Sequence, residues 1–121
     1  MTHRLILLAA FAALALGCGS SGTTVTTPSS GSPGGPSVSI VAGASVLTTT
    51  AYSPNPQTIS RGGSVTFINN DNTSHTATAG GTFDTGLIAP GGRASVTFQN
   101  TGSFTYRCTL HSNMTGTIVV Q

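Results

Sequence analysis

Charge is what this chain lacks most. Its 121 residues include four Lys or Arg and two Asp or Glu, so charged residues make up 5% of it. The cations are all arginine (Arg4, Arg61, Arg93, Arg107) and the acids are Asp71 and Asp84. Lysine, glutamate and tryptophan are absent. Such a chain offers no basic stripe for nucleic acid and no field that would steer a charged partner. With no assignable carboxylate pair and no Ser-His-Asp set, an enzyme is not expected. Thiols and thioethers are scarce too. Cys18 and Cys108 are the two cysteines, and Met114 is the one methionine besides Met1.

The single long apolar run, Leu5–Leu16, stands behind Arg4 at the N-terminus. It falls short of the roughly twenty residues that cross a bilayer as a helix. Its length and basic start are those of a signal-peptide core, over residues 1–17, rather than a buried helix. Leu14-Ala15-Leu16-Gly17-Cys18 resembles a bacterial lipoprotein cleavage site, with Ala15 and Leu16 where that site prefers Leu and a small residue. The resemblance implies a lipidated Cys18, a membrane anchor and an exported, periplasmic or cell-surface protein. Cleavage without a lipid is the other reading.

Residues 18–37 are Gly, Ser, Thr and Pro with little else. They cannot bury enough apolar surface to offset their ordering entropy, and read as a disordered linker. A flexible tether of about eighteen residues has an r.m.s. reach of roughly 24 Å. The folded domain is then 38–121.

That domain reads as all-β: a sandwich of about eight strands, rich in Thr, Val, Ile and Phe and broken by frequent turn residues. The expected strands are Val38–Val41, Ser45–Thr50, Gln57–Ile59, Ser64–Asn69, His75–Ala79, Arg93–Gln99, Ser103–Cys108 and Gly116–Val120. Val65, Phe67 and Asn69 alternate with Thr66 and Ile68, and Phe104, Tyr106 and Cys108 share a face. The strand ending at Cys108 runs toward the end that holds it. Its hairpin partner starts there, which places the Leu87–Pro90 turn near Cys108. Asp71 and Asp84 read as turn residues.

Four side chains carry the chemistry. Once the leader is removed, His75 and His111 are the only histidines. Cys108-Thr109-Leu110-His111-Ser112-Asn113-Met114 puts a thiolate, an imidazole and a thioether into one short loop between strands. His75 follows a neighbouring strand. Two imidazoles, one thiolate and a long axial methionine form the blue-copper arrangement. A Cys18–Cys108 disulfide or an inert buried thiol are the plainer readings of Cys108.

Gly63–Asp71 with His75, Phe83–Leu87, Ala89-Pro90-Gly91 and Tyr106–Met114 together resemble the plastocyanin-like cupredoxins. The Cys-x-x-His-x-x-Met loop is most similar to that of amicyanins. The resemblance implies a Greek-key sandwich and one type 1 copper ion, with His75, Cys108 and His111 as equatorial ligands and Met114 as axial ligand. It also implies electron exit through His111, with Leu87, Ala89, Pro90 and Leu110 as an apolar docking patch for a redox partner. Two positions depart from the family. Thr76 stands where Asn usually braces the ligand loop, though it can still offer its N–H to the sulfur and its hydroxyl can partly replace the brace. Leu110 stands where Pro is usual, and keeps an N–H that opens a second hydrogen bond to the sulfur. Asn69, closing the strand before His75, is expected with Thr76 and Leu110 to support the ligands from behind. The expected function is single-electron transfer by a monomer, with copper delivery to a partner as the alternative.

Overall fold

The computed structural model describes residues 35–121. The apolar run, Cys18 and most of the linker lie outside the described residues. Nine strands follow in chain order: β1 Ser37–Ile40, β2 Tyr52–Ser53, β3 Gln57–Ile59, β4 Ser64–Asn69, β5 Thr78–Ala79, β6 Phe83–Asp84, β7 Arg93–Thr97, β8 Gly102–Arg107 and β9 Thr115–Val120. They form two sheets, in the orders β2-β1-β4-β7 and β3-β9-β8-β5-β6. β1 runs parallel to β4 and β3 parallel to β9. The remaining pairings are antiparallel. Among the described residues, no helix is long and apolar enough to cross a membrane.

The period-two pattern sets which face is buried. Val65, Phe67 and Asn69 of β4 are buried, while Ser64 is exposed and Thr66 and Ile68 are half-buried. Tyr106 is at the centre of the core, edge-on to Tyr52 at 4.8 Å and to Phe67 at 5.4 Å between ring centroids. Fully burying one such large apolar side chain is worth about 1.5–3 kcal/mol. The outer face shared by β4 and β7 is mostly hydroxyl-bearing, with Arg93 its one charged side chain. Ser64 and Thr97 share a hydroxyl hydrogen bond of 2.6 Å across β4 and β7, and Thr66 and Ser95 share one of 2.8 Å.

Two expected strands differ. Ser45–Thr50 does not pair. Ala44–Val46 is a 3-10 turn entered through Gly43 at φ 74°, a left-handed conformation that suits glycine. Its backbone groups bond locally, with Leu47 N–H donating to Ala44 O at 2.9 Å and Ala51 N–H to Thr48 O at 3.2 Å, so no ladder can form. The strand comes later, at Tyr52–Ser53, where it pairs with β1. His75–Ala79 is laddered only at Thr78–Ala79, and His75 forms an isolated bridge with Ile88. Ala77 N–H bonds the Thr85 hydroxyl at 2.9 Å instead of a neighbouring strand. Phe83–Asp84, read as no strand, pairs with β5.

The topology gives the sandwich two distinct poles. β4 and β8 both run toward the pole that holds Asn69 and Cys108, and β9 leaves from it. β1, parallel to β4, enters at the opposite pole, and β9 ends there, where Val120 pairs with Gly102.

Candidate metal centre

Cys108 continues the inward alternation of β8 and is fully buried. The loop after it folds back on itself. Met114 N–H donates to His111 O at 3.0 Å, and Cys108 N–H donates to Met114 O at 3.1 Å. These bonds close the loop onto the end of β8 and bury Met114 beneath it. Asn113 clips the loop to the adjacent turn, its Nδ2 donating to Leu47 O at 2.7 Å.

His75 reaches the same place from the other side. Its backbone exchanges two hydrogen bonds with Ile88, at 2.8 and 3.2 Å, and its side chain is fully buried. Asn69, also fully buried, fastens this approach. Its Nδ2 donates to Thr73 O at 2.7 Å and to Ile88 O at 2.8 Å, while its Oδ1 accepts the Asp71 N–H at 2.9 Å.

Three ligand atoms converge. Cys108 Sγ lies 3.8 Å from His75 Nδ1 and 3.7 Å from His111 Nδ1, and the two nitrogens are 3.2 Å apart. His75, Cys108 and His111 are the one such trio among the described residues, with His111 half-buried and the others buried. First-row metal bonds of about 2.0–2.1 Å to nitrogen and about 2.3 Å to sulfur, at trigonal angles, place N and S about 3.8 Å apart. The triangle therefore fits a single soft-to-borderline ion with no rearrangement of the backbone. Cys108 is a free thiol.

Thr76 binds both walls of the site. Its N–H donates to Cys108 Sγ at 3.4 Å. Its hydroxyl oxygen accepts the Thr109 N–H at 3.0 Å and lies 3.3 Å from the Thr109 hydroxyl, linking the segment after His75 to the loop after Cys108. Its carbonyl accepts the Tyr52 hydroxyl. Burial, foremost, pushes the Tyr52 phenol well above its ordinary range, and its neighbours Cys108 and Tyr106 add to that. Leu110 differs from expectation. Its side chain is 56% exposed beside His111, and the Thr76 amide is the one backbone N–H on the sulfur among the described residues.

Asp71 is not the plain turn residue the sequence suggested. Its Oδ2 lies 2.7 Å from His75 Nε2, and both side chains are buried. Its Oδ1 accepts N–H bonds from Gly43 at 3.0 Å and Asn72 at 2.8 Å. The Gly43 amide foremost, then the His75 ring, hold this carboxyl down at about 2. The available sequence signal was an acid four residues before a ligand histidine, in a chain with only two acids. Asp84, also read as a turn residue, instead closes β6 opposite Thr78, its carboxylate accepting from Gly86 N–H at 2.8 Å and the Thr78 hydroxyl at 3.0 Å.

Leu87 is 69% exposed, and Ala89 and Pro90 are exposed around buried Ile88, which bridges His75. Val46, 81% exposed, was expected within a strand; it belongs to the turn that Asn113 clips. The three exposed large hydrophobics of the described residues thus all sit on segments bonded to the site.

Two sheets packed face to face, with His75, Cys108 and His111 meeting at one pole, define a cupredoxin. Residues 38–121 match the model of the copper binding proteins of the plastocyanin/azurin family, and the chain belongs to that family. Its cofactor is one type 1 copper ion, and His75, Cys108 and His111 form its site. Solved structures share the fold. A purple cupredoxin from Nitrosopumilus maritimus is 24% identical, with a TM-score of 0.64 over 71% of this chain and 99% of that one. An amicyanin variant in its reduced Cu(I) form is 24% identical, with a TM-score of 0.62 over 74% of this chain and 85% of that one. A copper-containing nitrite reductase from Thermus scotoductus aligns at a TM-score of 0.60 and 24% identity over 72% of this chain, but over only 22% of its own. No curated protein sequence matches the chain significantly.

Proposed function

We propose that the protein is an electron carrier, exported to the cell envelope and tethered there through a lipidated Cys18, that exchanges single electrons with partner proteins. The observation carrying this reading is the buried Sγ–Nδ1–Nδ1 triangle, closed on one side by the Thr76 N–H. Met114, buried under the loop that bears two of the three ligands, would offer its thioether as a fourth donor to the ion. When bound, copper supplies a one-electron couple between Cu(I) and Cu(II). The residues around it hold one geometry for both states. Asn69, Thr76 and the closed 108–114 loop fix the ligands by hydrogen bonds that do not depend on the ion, so little has to reorganise when an electron arrives.

His111, the half-buried ligand, is the electron's exit. Leu87, Ala89, Pro90 and Leu110 form the apolar surface around it, and Val46 extends that surface. The domain works as a monomer and meets its partner through small, weak redox contacts. β1 begins at the pole of the sandwich away from the site.

The same ligands would serve a copper-delivery module, and a single experiment separates the two. Copper-loaded protein is subjected to voltammetry at varied salt, then challenged with a Cu(I) chelator. A carrier gives a reversible one-electron wave, retains its copper, and exchanges electrons with its partner at a rate nearly independent of ionic strength, because few charges are there to be screened. Rapid surrender of the metal favours delivery, and a strong salt dependence contradicts the apolar docking surface.

A further inference from the structure

We propose that Asp71 positions the ligand His75 and sets the balance between the two copper states. Its carboxylate accepts a hydrogen bond from the Nε2–H of His75, leaves Nδ1 turned toward Cys108, and places a buried negative charge behind the ligand ring that favours Cu(II) over Cu(I). This rests on the copper reading of the site.

A carboxylate can only accept hydrogen bonds, so the 2.7 Å contact to Nε2 places the imidazole proton on that nitrogen. Nδ1 is then left with a free lone pair, 3.8 Å from Cys108 Sγ. The carboxylate cannot swing away from this task. Its other oxygen is held by the Gly43 and Asn72 amides, and the Asp71 amide is held by Asn69 Oδ1. The Gly43 amide belongs to the turn before Ala44–Val46, so two separate segments of chain converge on one carboxyl group. Carboxylate partners of metal-bound histidines raise the basicity of the ligand and fix its ring.

The charge matters as much as the orientation. Cu(II) with the Cys108 thiolate carries one net positive charge, and Cu(I) with the thiolate carries none. Adding Asp71 makes the oxidised centre neutral and the reduced centre negative. In a buried site the second state is the costlier to hold. The chain has only two acidic side chains, and one of them is buried against a ligand ring while the other is exposed at the end of β6. That placement is not the by-product of a charged surface.

Two variants and one copper-free measurement test this. In the copper-free chain, nitrogen NMR of His75 should show the Nε2–H tautomer. Asp71→Asn keeps an acceptor oxygen and loses the charge. It should retain the tautomer and the blue colour while shifting the ratio of Cu(II) to Cu(I) affinity at least tenfold toward Cu(I), a rise in potential of about 59 mV for one electron. Asp71→Ala loses both functions and should show mixed tautomers and Cu(II) affinity at least tenfold weaker. An Nδ1–H tautomer in the unaltered chain, or a folded, blue Asp71→Asn protein with unchanged or lowered potential, would overturn the proposal. The tautomer is read without metal, so its failure counts against Asp71, whereas failure of the unaltered chain to take up copper counts against the copper reading.

Discussion

Thr76 carries three jobs in one residue: its amide faces the thiolate, its carbonyl accepts Tyr52, and its hydroxyl ties down Thr109. The jobs can be separated. Thr76→Ala removes the hydroxyl acceptor and keeps the amide. The copper-free protein should lose about 1 kcal/mol in a denaturant titration while the copper-loaded protein keeps its blue band. Unchanged stability would mean the Thr109 tie contributes nothing. Tyr52 and Tyr106 are the chain's two tyrosines. Burial raises both phenols well above the ordinary value of 10.0. A raised acid is held neutral by the fold, so its contribution to stability is complete below pH 10 and is lost as pH rises beyond it. Titrating the copper-free protein should give almost no phenolate absorbance at about pH 11, where an ordinary phenol is about nine-tenths ionised. The absorbance should appear together with alkaline unfolding. A smooth titration centred at pH 10 in folded protein would contradict the buried pair. At this scale the sequence revealed the ligand types and their spacing, because copper's preferences are written in residue identity. It hid Asp71 and Tyr52, whose roles depend on which loops meet in space.

β8 and β9 form the hairpin that carries the ligand loop, and their contact is unusually close at one point. Tyr106 pairs directly with Gly116. A Cβ on Gly116 would fall inside the contact distance of the Tyr106 ring and hydroxyl. The ring cannot move aside, being packed between Tyr52 and Phe67. Gly116→Ala should therefore destabilise the protein by about 1–3 kcal/mol, as overpacked cores do. In thermal melts this reads as a fall of about 4–8 °C per kcal/mol for a domain of this size. A melt unchanged from that of the original chain would show that the hairpin yields. Strands with clean alternation and a buried face, such as β4 and β8, were legible from sequence. Ser45–Thr50 was not. It has the composition of a strand, but Gly43 starts a tight turn whose local bonds consume its backbone groups. The two-residue strands β2, β5 and β6 carry no period long enough to read.

Across the whole molecule, the candidate ligands gather at one pole of the sandwich. The ligand loop, Ile88, Asn69 and the Ala44–Val46 turn gather around the site, while β1 enters and β9 ends at the far side. Leu87, Leu110 and Val46 are exposed on segments bonded to the site, and the parallel pairing of β1 with β4 runs the first strand toward it. The measurement that bears most directly on the account is a copper titration of the metal-free protein, followed by visible absorption and EPR. The account predicts saturation at one copper per chain with an intense blue band, and loss of that band in Cys108→Ser. A colourless complex, or copper uptake indifferent to Cys108, would contradict it.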